Sequence, residues 1–142
     1  MRIFDVSVLV LAHRADQPGH GPASAFLEAV TSSDRAFCVP PVVGSAVVRI
    51  ATHPRIFVAP TPLPEVIGFL DALRARPLHM DVDEAAAWPV FTRLCRDHDA
   101  RGNRVPDAYL AGLALVSGAA LVTADRGLAR YRDVIVEHPA GL

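Results

Sequence analysis

Short apolar runs of strand length recur along the chain, separated by longer segments with helical periodicity. Strands are predicted for the segments RIF (2–4), RAFCVP (35–40), LHMDV (78–82), AALVTAD (119–125) and VIVEH (134–138). Runs such as ALVT are continuously apolar, which is typical of strands that are buried on both faces of a parallel sheet.

The intervening segments carry apolar residues at the spacing of an α-helix. Helices are predicted over 6–14, 18–33, 41–53, 64–76 and 83–100 and from near Asn103 to 115, with a short helix at 126–131. Pro54 stops the third helix, and Pro89 is expected to kink the fifth or to mark its first turn. Residues 54–64 contain four prolines and are predicted to form a loop.

This alternation of strands and helices predicts an α/β fold, in which a mostly parallel sheet is covered by helices on both faces. A chain of 142 residues, 51% of them hydrophobic, can bury a core of its own, so a single domain over 1–142 is expected. Ligands of such folds bind beyond the carboxyl ends of the strands. Asp5 and Asp125 are both predicted at those ends.

All basic residues of the chain are arginines. There are 14 of them, no lysine and a net charge of -1, so no overall field would attract a polyanion. Any binding of nucleic acid must then come from a local arrangement of arginines. A Walker-type phosphate loop, a Schiff-base enzyme and a phosphoacceptor receiver domain each need a lysine, which argues against these classes.

The cysteines and the N-terminal residues indicate the cellular compartment of the protein. Cys38 and Cys95 have no close spacing, so free thiols in a reducing compartment are expected rather than a disulfide or a zinc site. Asp5 interrupts an N-terminal apolar region of only about seven residues, which argues against a signal peptide. No window approaches the roughly 18 apolar residues of a membrane span. We therefore expect a cytoplasmic protein without a membrane partner.

Three aspartates are the candidate functional residues. Asp5 interrupts an apolar run, where an unpaired carboxylate is costly to bury. Asp107 falls in the first turn of one predicted helix and Asp125 precedes another, so each could also be a helix cap or a partner of the helix dipole. If the fold brings all three to one end of the sheet, their mutual repulsion calls for a cation. Oxygen ligands without histidine or cysteine select Mg²⁺ or Mn²⁺, which suit phosphodiester hydrolysis.

Three stretches carry a resemblance to a known family: RIFDVSVLVLA, PVVGSAVVRIATHPRIF and RGNRVPDAYLAGLALVSGAALVTADRGLARY. In this order they resemble the PIN-domain ribonucleases of VapC type, the toxins of bacterial VapBC toxin-antitoxin modules. The resemblance implies a three-layer α/β/α fold around a sheet of about five strands and Mg²⁺- or Mn²⁺-dependent endonucleolytic cleavage of RNA. It also implies neutralisation by a cognate VapB-type antitoxin.

The resemblance assigns roles to individual residues. Asp5, Asp107 and Asp125 match the metal-binding and catalytic aspartates of the family. Ser7 and Thr123 fall where the family often carries hydroxyl residues that orient ligands or waters. Asn103 precedes Asp107 by one turn, where it could contact RNA or the metal's surroundings, or could be a helix N-cap instead.

One position departs from the family pattern. The helix after the second strand usually carries a glutamate, three residues before a position like Arg49, and here that residue is Ala46. A related subgroup with R-I-x-T-x-P-R after this helix likewise lacks the glutamate, which favours a variant site with weaker metal affinity. The alternative is a catalytically degenerate PIN module that binds RNA or a partner without cleavage.

The remaining candidates concern contact surfaces. Guanidinium groups suit phosphate, so an RNA-backbone surface around the aspartates is expected from Arg49, Arg55, Arg96, Arg101, Arg104 and Arg126, with plain surface charge as the alternative. Trp88 and Phe91 are predicted to pack in the core rather than to stack on bases. The apolar segment PRIFVAPTPLPEVIGFL (54–70) is expected to contribute to a homodimer face or to a groove for the antitoxin, and both possibilities remain open.

Overall fold

A computed structural model describes residues 1–141 of the chain. Four short strands form one sheet: β1 (Arg2–Phe4), β2 (Phe37–Cys38), β3 (Ala120–Val122) and β4 (Val136–Glu137). All strand pairs are parallel, and the order across the sheet is β2-β1-β3-β4. The central strands β1 and β3 consist of buried apolar residues except for the half-buried Arg2, as expected for a sheet that is covered on both faces.

Within the described residues, six α-helices connect these strands: α1 (Val6–His13), α2 (His20–Thr31), α3 (Pro41–Ala51), α4 (Leu63–Arg74), α5 (Glu84–Asp97) and α6 (Arg104–Ser117). A 3-10 helix, Arg126–Arg130, replaces the short helix predicted at 126–131. Pro89 lies inside α5, beyond its first turn. Leu63 begins α4, whose first turn also contains Pro64, a residue that is tolerated there because first-turn amides have no partner within the helix.

The helices form two packed groups. Helix α1 packs on α2 and α3, α3 packs on α4, and α5 packs on α6. From β1 the chain runs towards the β2 edge of the sheet, and the helices α1 to α4 lie along this part of the chain. It then crosses back over β1 to reach β3, and α5 and α6 lie along this return. Because crossovers between parallel strands are right-handed, these two directions place the two groups on opposite faces of the sheet. The predicted three-layer α/β/α fold is therefore confirmed.

The segment LHMDV (78–82), predicted as a strand, forms a single bridge, between His79 and Phe37, so the sheet has four strands rather than about five. Two main-chain bonds flank the bridge: the Phe37 amide donates to Leu78, and the Met80 amide donates to Phe37. The ladder stops because side chains take the next main-chain groups. The Val39 amide donates to His79 Nε2, and the Val39 carbonyl accepts from Arg74.

One apolar core extends over both faces of the sheet. Its largest fully buried side chains include Phe4 on β1, Phe37 on β2, Leu9 on α1 and Leu113 on α6. Phe4 and Phe37 contact edge to face, with ring centroids 6.1 Å apart. Cys38 is buried and Cys95 half-buried, and both are free thiols, as predicted. This core holds the carboxyl ends of β1 and β3 side by side.

Candidate active site

Asp5 follows β1 directly and caps α1. Its amide donates to the Val122 carbonyl at 2.9 Å, which extends the pairing of β1 with β3 by one residue. Asp5 is the N-cap residue of α1, and its Oδ1 accepts from the Val6 amide at 2.6 Å. The half-buried carboxylate is therefore held at the start of a helix, where the dipole favours negative charge.

Two hydroxyl groups complete the surroundings of Asp5. Ser7 Oγ and Thr123 Oγ1 each donate to Asp5 Oδ2 at 2.7 Å. Each hydroxyl also accepts a main-chain amide from the turn after β3: Ser7 from Ala124 at 3.0 Å and Thr123 from Asp125 at 2.9 Å. Thr123 is fully buried. The two hydroxyl residues predicted from the sequence thus contact Asp5 and fix its orientation.

Asp107 lies in the first turn of α6 and is 22% exposed. Burial raises the pKa of its carboxyl, and the negative charges of Asp125 and Asp5 raise it further, while Arg130 lowers it. Arg130 Nη1 donates to Asp107 Oδ2 at 3.1 Å. Asp5 and Asp125 therefore lie close enough to Asp107 for their charges to act on it, and the Arg130 guanidinium offsets part of that repulsion.

Asp125 is exposed and is the N-cap residue of the 3-10 helix. Its Oδ1 accepts from the Gly127 amide at 2.7 Å, so it is a cap as well as a neighbour of Asp107. Asn103 occupies the N-cap position of α6 but makes no side-chain capping bond, and it is exposed. Its amide group is thus available for another contact.

A cavity of about 550 Å³ unites the three aspartates. It lies beyond the carboxyl ends of β1 and β3, where the chain turns to opposite sides of the sheet, the place at which α/β folds bind ligands. Ser7, Ala46 and Arg49 also line it. Ala46, at the position where the family usually has a glutamate, therefore faces the same space as the aspartates.

The structure brings one of the predicted arginines into this cavity. Arg49 is exposed at its edge, whereas Arg55, Arg96, Arg101, Arg104 and Arg126 are exposed but are not among its lining residues. Arg101 pairs with Asp99 at 3.0 Å on the open surface. Arg130, which contacts Asp107, was not predicted. Its only sequence signal is its position in the short helix after Asp125, since the 3-10 turn that aims it at α6 has no recognisable pattern.

A second, more apolar cavity of about 380 Å³ adjoins the first and shares Asp5, Ala46 and Asp107 with it. Trp88, Phe91 and Tyr109 contribute aromatic rings to its wall. The prediction that Trp88 packs in the core is wrong, because its side chain is 61% exposed. Phe91 is partly buried against the core, as predicted. The apolar periodicity of α5 could not show that Trp88 is exposed while Phe91 is partly buried, since both residues border the cavity.

The side chains of residues 1–141 fit an open cation site rather than a closed one. No group of three histidine, cysteine or acidic residues there is gathered closely enough to enclose a metal ion. Electrostatic repulsion acts over longer distances than ligation, so the raised pKa of Asp107 is compatible with this spacing. Mg²⁺ commonly binds through one or two carboxylates and keeps several waters. Carboxylate oxygens around an open cavity suit such an ion.

Comparison with known proteins gives a consistent picture. The family model of the PIN domain matches residues 2–134. Ribonuclease VapC31 of Mycobacterium tuberculosis is 36% identical over 135 residues, which cover 94% of this chain and 95% of that protein. VapC ribonuclease Mb2897 of Mycobacterium bovis is 38% identical over 140 residues, which cover 98% of this chain and 95% of the relative.

Solved structures share the fold at lower identity. The crystal structure of VapBC2 from Rickettsia felis, bound to a DNA fragment from the promoter, matches with a TM-score of 0.71 and 16% identity over 96% of this chain and 97% of that chain. Mycobacterium tuberculosis VapC20, a sarcin-ricin loop cleaving toxin, matches with a TM-score of 0.62 and 18% identity over 92% and 94% of the two chains. Within residues 1–141, no helix is long and apolar enough to cross a bilayer.

Proposed function

Because the chain belongs to the PIN-domain family and to its VapC type, we propose that it is the toxin of a VapBC-type module, a Mg²⁺- or Mn²⁺-dependent endoribonuclease. The observation that carries this proposal is the cavity at the ends of β1 and β3, which Asp5, Asp107 and Asp125 line together. Relatives named as ribonucleases over nearly the whole chain support the same reaction.

Each residue of the site has a part in the proposed reaction. When bound, Mg²⁺ or Mn²⁺ stabilises charge on the phosphate and makes water a better nucleophile. Asp5, Asp107 and Asp125 would hold the ion through carboxylate oxygens. Ser7 and Thr123 keep Asp5 in one orientation by donating to its Oδ2.

Positive charge near the cavity would hold the RNA. Arg49 lies at the cavity edge and can bind a phosphate oxygen of the scissile strand. Arg130 pairs with Asp107 at 3.1 Å and offsets part of its charge. Asn103, Arg96, Arg101, Arg104 and Arg126 are exposed, and we propose them as further contacts along the RNA backbone.

Cleavage of a labelled single-stranded RNA by the purified chain tests this proposal. We expect cleavage with Mg²⁺ or Mn²⁺, none with EDTA, and a loss of at least about 100-fold for Asp5→Asn, the scale at which a single electrostatic contact in an active site contributes. Asp71→Asn, which changes an exposed acid on α4, is the matched control. Full activity of the Asp5→Asn protein would overturn the proposal.

A second candidate function is a PIN module that binds RNA or a partner without cutting. Ala46 favours it, because the cavity has an alanine where the family usually has a glutamate. The same experiment separates the two candidates. RNA that is retained by the chain but stays intact at millimolar Mn²⁺ supports the binding module, whereas metal-dependent cleavage rejects it.

We also propose that a cognate VapB-type antitoxin neutralises the chain, since structural neighbours such as VapBC2 of Rickettsia felis are VapBC complexes. Exposed apolar side chains on the segment 54–70, namely Ile56, Val58, Leu63 and Ile67, support a protein contact there. Expression of the chain alone should arrest growth, and co-expression of the protein encoded beside it should restore growth. Whether this segment also forms a homodimer remains a prediction, which the mass of the purified chain in solution tests.

A further inference from the structure

The apolar cavity beside the aspartates has an aromatic wall that the proposed reaction does not use. Trp88 and Phe91 of α5 contact at 5.4 Å between ring centroids, and Phe91 contacts Tyr109 of α6 edge to face at 5.4 Å. We call the three side chains the aromatic shelf. Trp88 is its exposed member, whereas Phe91 and Tyr109 are partly buried behind it.

The aromatic shelf lies where α5 and α6 pack closely together. The Tyr109 hydroxyl donates to Glu84 Oε2 at 2.8 Å, which ties α6 to the start of α5. Gly112 lets the helices approach closely, since a Cβ at this position would lie only 3.2 Å from the Phe91 amide nitrogen. A rigid support reduces the entropy that a ligand stacked on Trp88 would have to remove.

The residues that line this cavity favour an uncharged, planar ligand. Its volume of about 380 Å³ lies in the range of small-molecule sites, roughly 300–1,000 Å³. Asp5 and Asp107 are the charged residues among those that line it, and both lie where it meets the larger cavity. No arginine among residues 1–141 lines this cavity to bind a phosphate, whereas the indole face of Trp88 favours an aromatic ring.

We propose that Trp88 stacks on an unpaired nucleobase of the RNA, next to the phosphate that is cleaved. This proposal rests on the proposed ribonuclease function and extends it to substrate recognition. A phosphate at the three aspartates is joined through one sugar to its flanking base, and the two cavities share Asp5 and Asp107 in their linings. The face of a base is free to stack on protein only where the RNA is single-stranded, so the shelf selects flexible loops over duplexes.

The fluorescence of Trp88 reports stacking without requiring cleavage, because Trp88 is the only tryptophan in the sequence. The titration uses the Asp125→Asn variant, in which loss of a proposed metal ligand should keep the RNA intact. Asp125 lies outside the lining of the apolar cavity, so the substitution leaves the stacking site unchanged. The variant is titrated with oligouridylate or oligoadenylate in the presence of Mg²⁺. We expect saturable quenching by both oligonucleotides and none by an abasic ribose-phosphate oligomer. The proposal is overturned if neither oligonucleotide quenches the fluorescence at concentrations that saturate cleavage by the native chain.

Kinetics of the native background give the second readout. Trp88→Ala should raise KM for single-stranded RNA by roughly 5- to 150-fold, the range that stacking of one base contributes, and change kcat little. Trp88→Phe should recover much of the loss because it keeps an aromatic face. Ile135→Ala removes an equally exposed apolar side chain away from the cavity and is the control. An unchanged KM for Trp88→Ala overturns the proposal.

These outcomes separate this proposal from the proposed function. Quenching by RNA without any cleavage by the native chain rejects the ribonuclease but keeps the stacking site. Cleavage that is indifferent to Trp88→Ala rejects the stacking site but keeps the ribonuclease. If RNA leaves the fluorescence unchanged while the protein encoded beside the chain quenches it, the shelf is a protein-docking surface and the proposal is overturned.

Discussion

At the scale of single residues, Asp5 shows how an acidic side chain is accommodated between an apolar strand and an apolar helix. One oxygen accepts the Val6 amide, and the other accepts two hydroxyl groups, from Ser7 and Thr123. Three donors replace much of the water that the carboxylate gives up on partial burial. The arrangement leaves the carboxylate oriented and open to the cavity.

Thr123→Val tests the structural part of this arrangement. The substitution keeps the shape of the buried side chain but removes the donor to Asp5 and the acceptor of the Asp125 amide. We expect a loss of about 1–3 kcal/mol in the free energy of unfolding, because a polar group is left without its partner. Urea denaturation measures it, with Thr92→Val, a more exposed threonine on α5, as the control. Equal losses in both variants would contradict the role of Thr123.

Ala46→Glu tests the consequence of the missing glutamate. Ala46 lines the cavity of the three aspartates, so a carboxylate there adds an oxygen ligand and a further negative charge. We expect tighter binding of Mn²⁺ and, with EDTA present, a lower melting temperature, because the added charge increases repulsion among the acids. Ser45→Glu, on the exposed neighbouring position of α3, is the matched control. Weaker Mn²⁺ binding by Ala46→Glu than by Ser45→Glu would contradict the account.

The sequence predicted that the three aspartates lie at one end of the sheet. It predicted neither the contact of Arg130 with Asp107 nor the exposure of the Trp88 side chain. Strand-end carboxylates follow from topology, since the ends of parallel neighbouring strands meet at one edge of the sheet. Arg130 depends on the local path of a 3-10 helix, and no pattern in five residues specifies where its guanidinium points. Trp88 is at a helix position that borders a cavity, and a cavity cannot be seen in an apolar period alone.

At the scale of elements, two side chains determine where strand pairing ends at the β2 edge of the sheet. His79 and Arg74 bind the two main-chain groups of Val39 that a longer ladder would use. The apolar run LHMDV therefore forms one bridge although its composition is that of a strand. The helices, whose apolar periods are longer, lie close to their predicted bounds. Short strands are the less predictable elements because one competing side chain can end them.

His79 makes this edge sensitive to pH. Burial lowers the pKa of His79, and the charge of Arg74 lowers it further, although Asp81 opposes this. The unfolded chain then takes up the proton at a higher pH than the folded chain. The contribution of His79 to stability is full above about pH 6.5, its ordinary pKa, and is lost as the pH falls towards the folded-state pKa.

His79→Gln should reduce this pH dependence, because an amide can accept from Val39 but does not titrate. We expect the fall in melting temperature between pH 7 and pH 5 to be smaller in the variant than in the native chain, as followed by circular dichroism. His13, whose pKa is also lowered by burial, is present in both proteins, so the difference between them isolates His79. Identical falls would contradict a lowered pKa of His79 in the folded chain.

At the scale of the whole molecule, function follows from where the chain changes direction. The connection from β1 passes to one side of the sheet, and β3 pairs with the other edge of β1, so the ends of β1 and β3 border an open crevice. Two helical groups on opposite faces wall this crevice, with Ala46 from α3 on one side and Asp107 from α6 on the other. The three-layer fold was predictable from the alternation of elements, whereas the division of the crevice into an acidic and an aromatic cavity was not.

The most direct test of the central claim, that three aspartates hold the cation of a ribonuclease, is calorimetric titration of Mn²⁺ into the native chain and into Asp5→Asn and Asp107→Asn. We expect saturable binding by the native chain and by the control Asp71→Asn, with binding weakened at least about 10-fold in both site variants, because each loses a charged oxygen ligand. Native-like Mn²⁺ affinity in both site variants would contradict the claim.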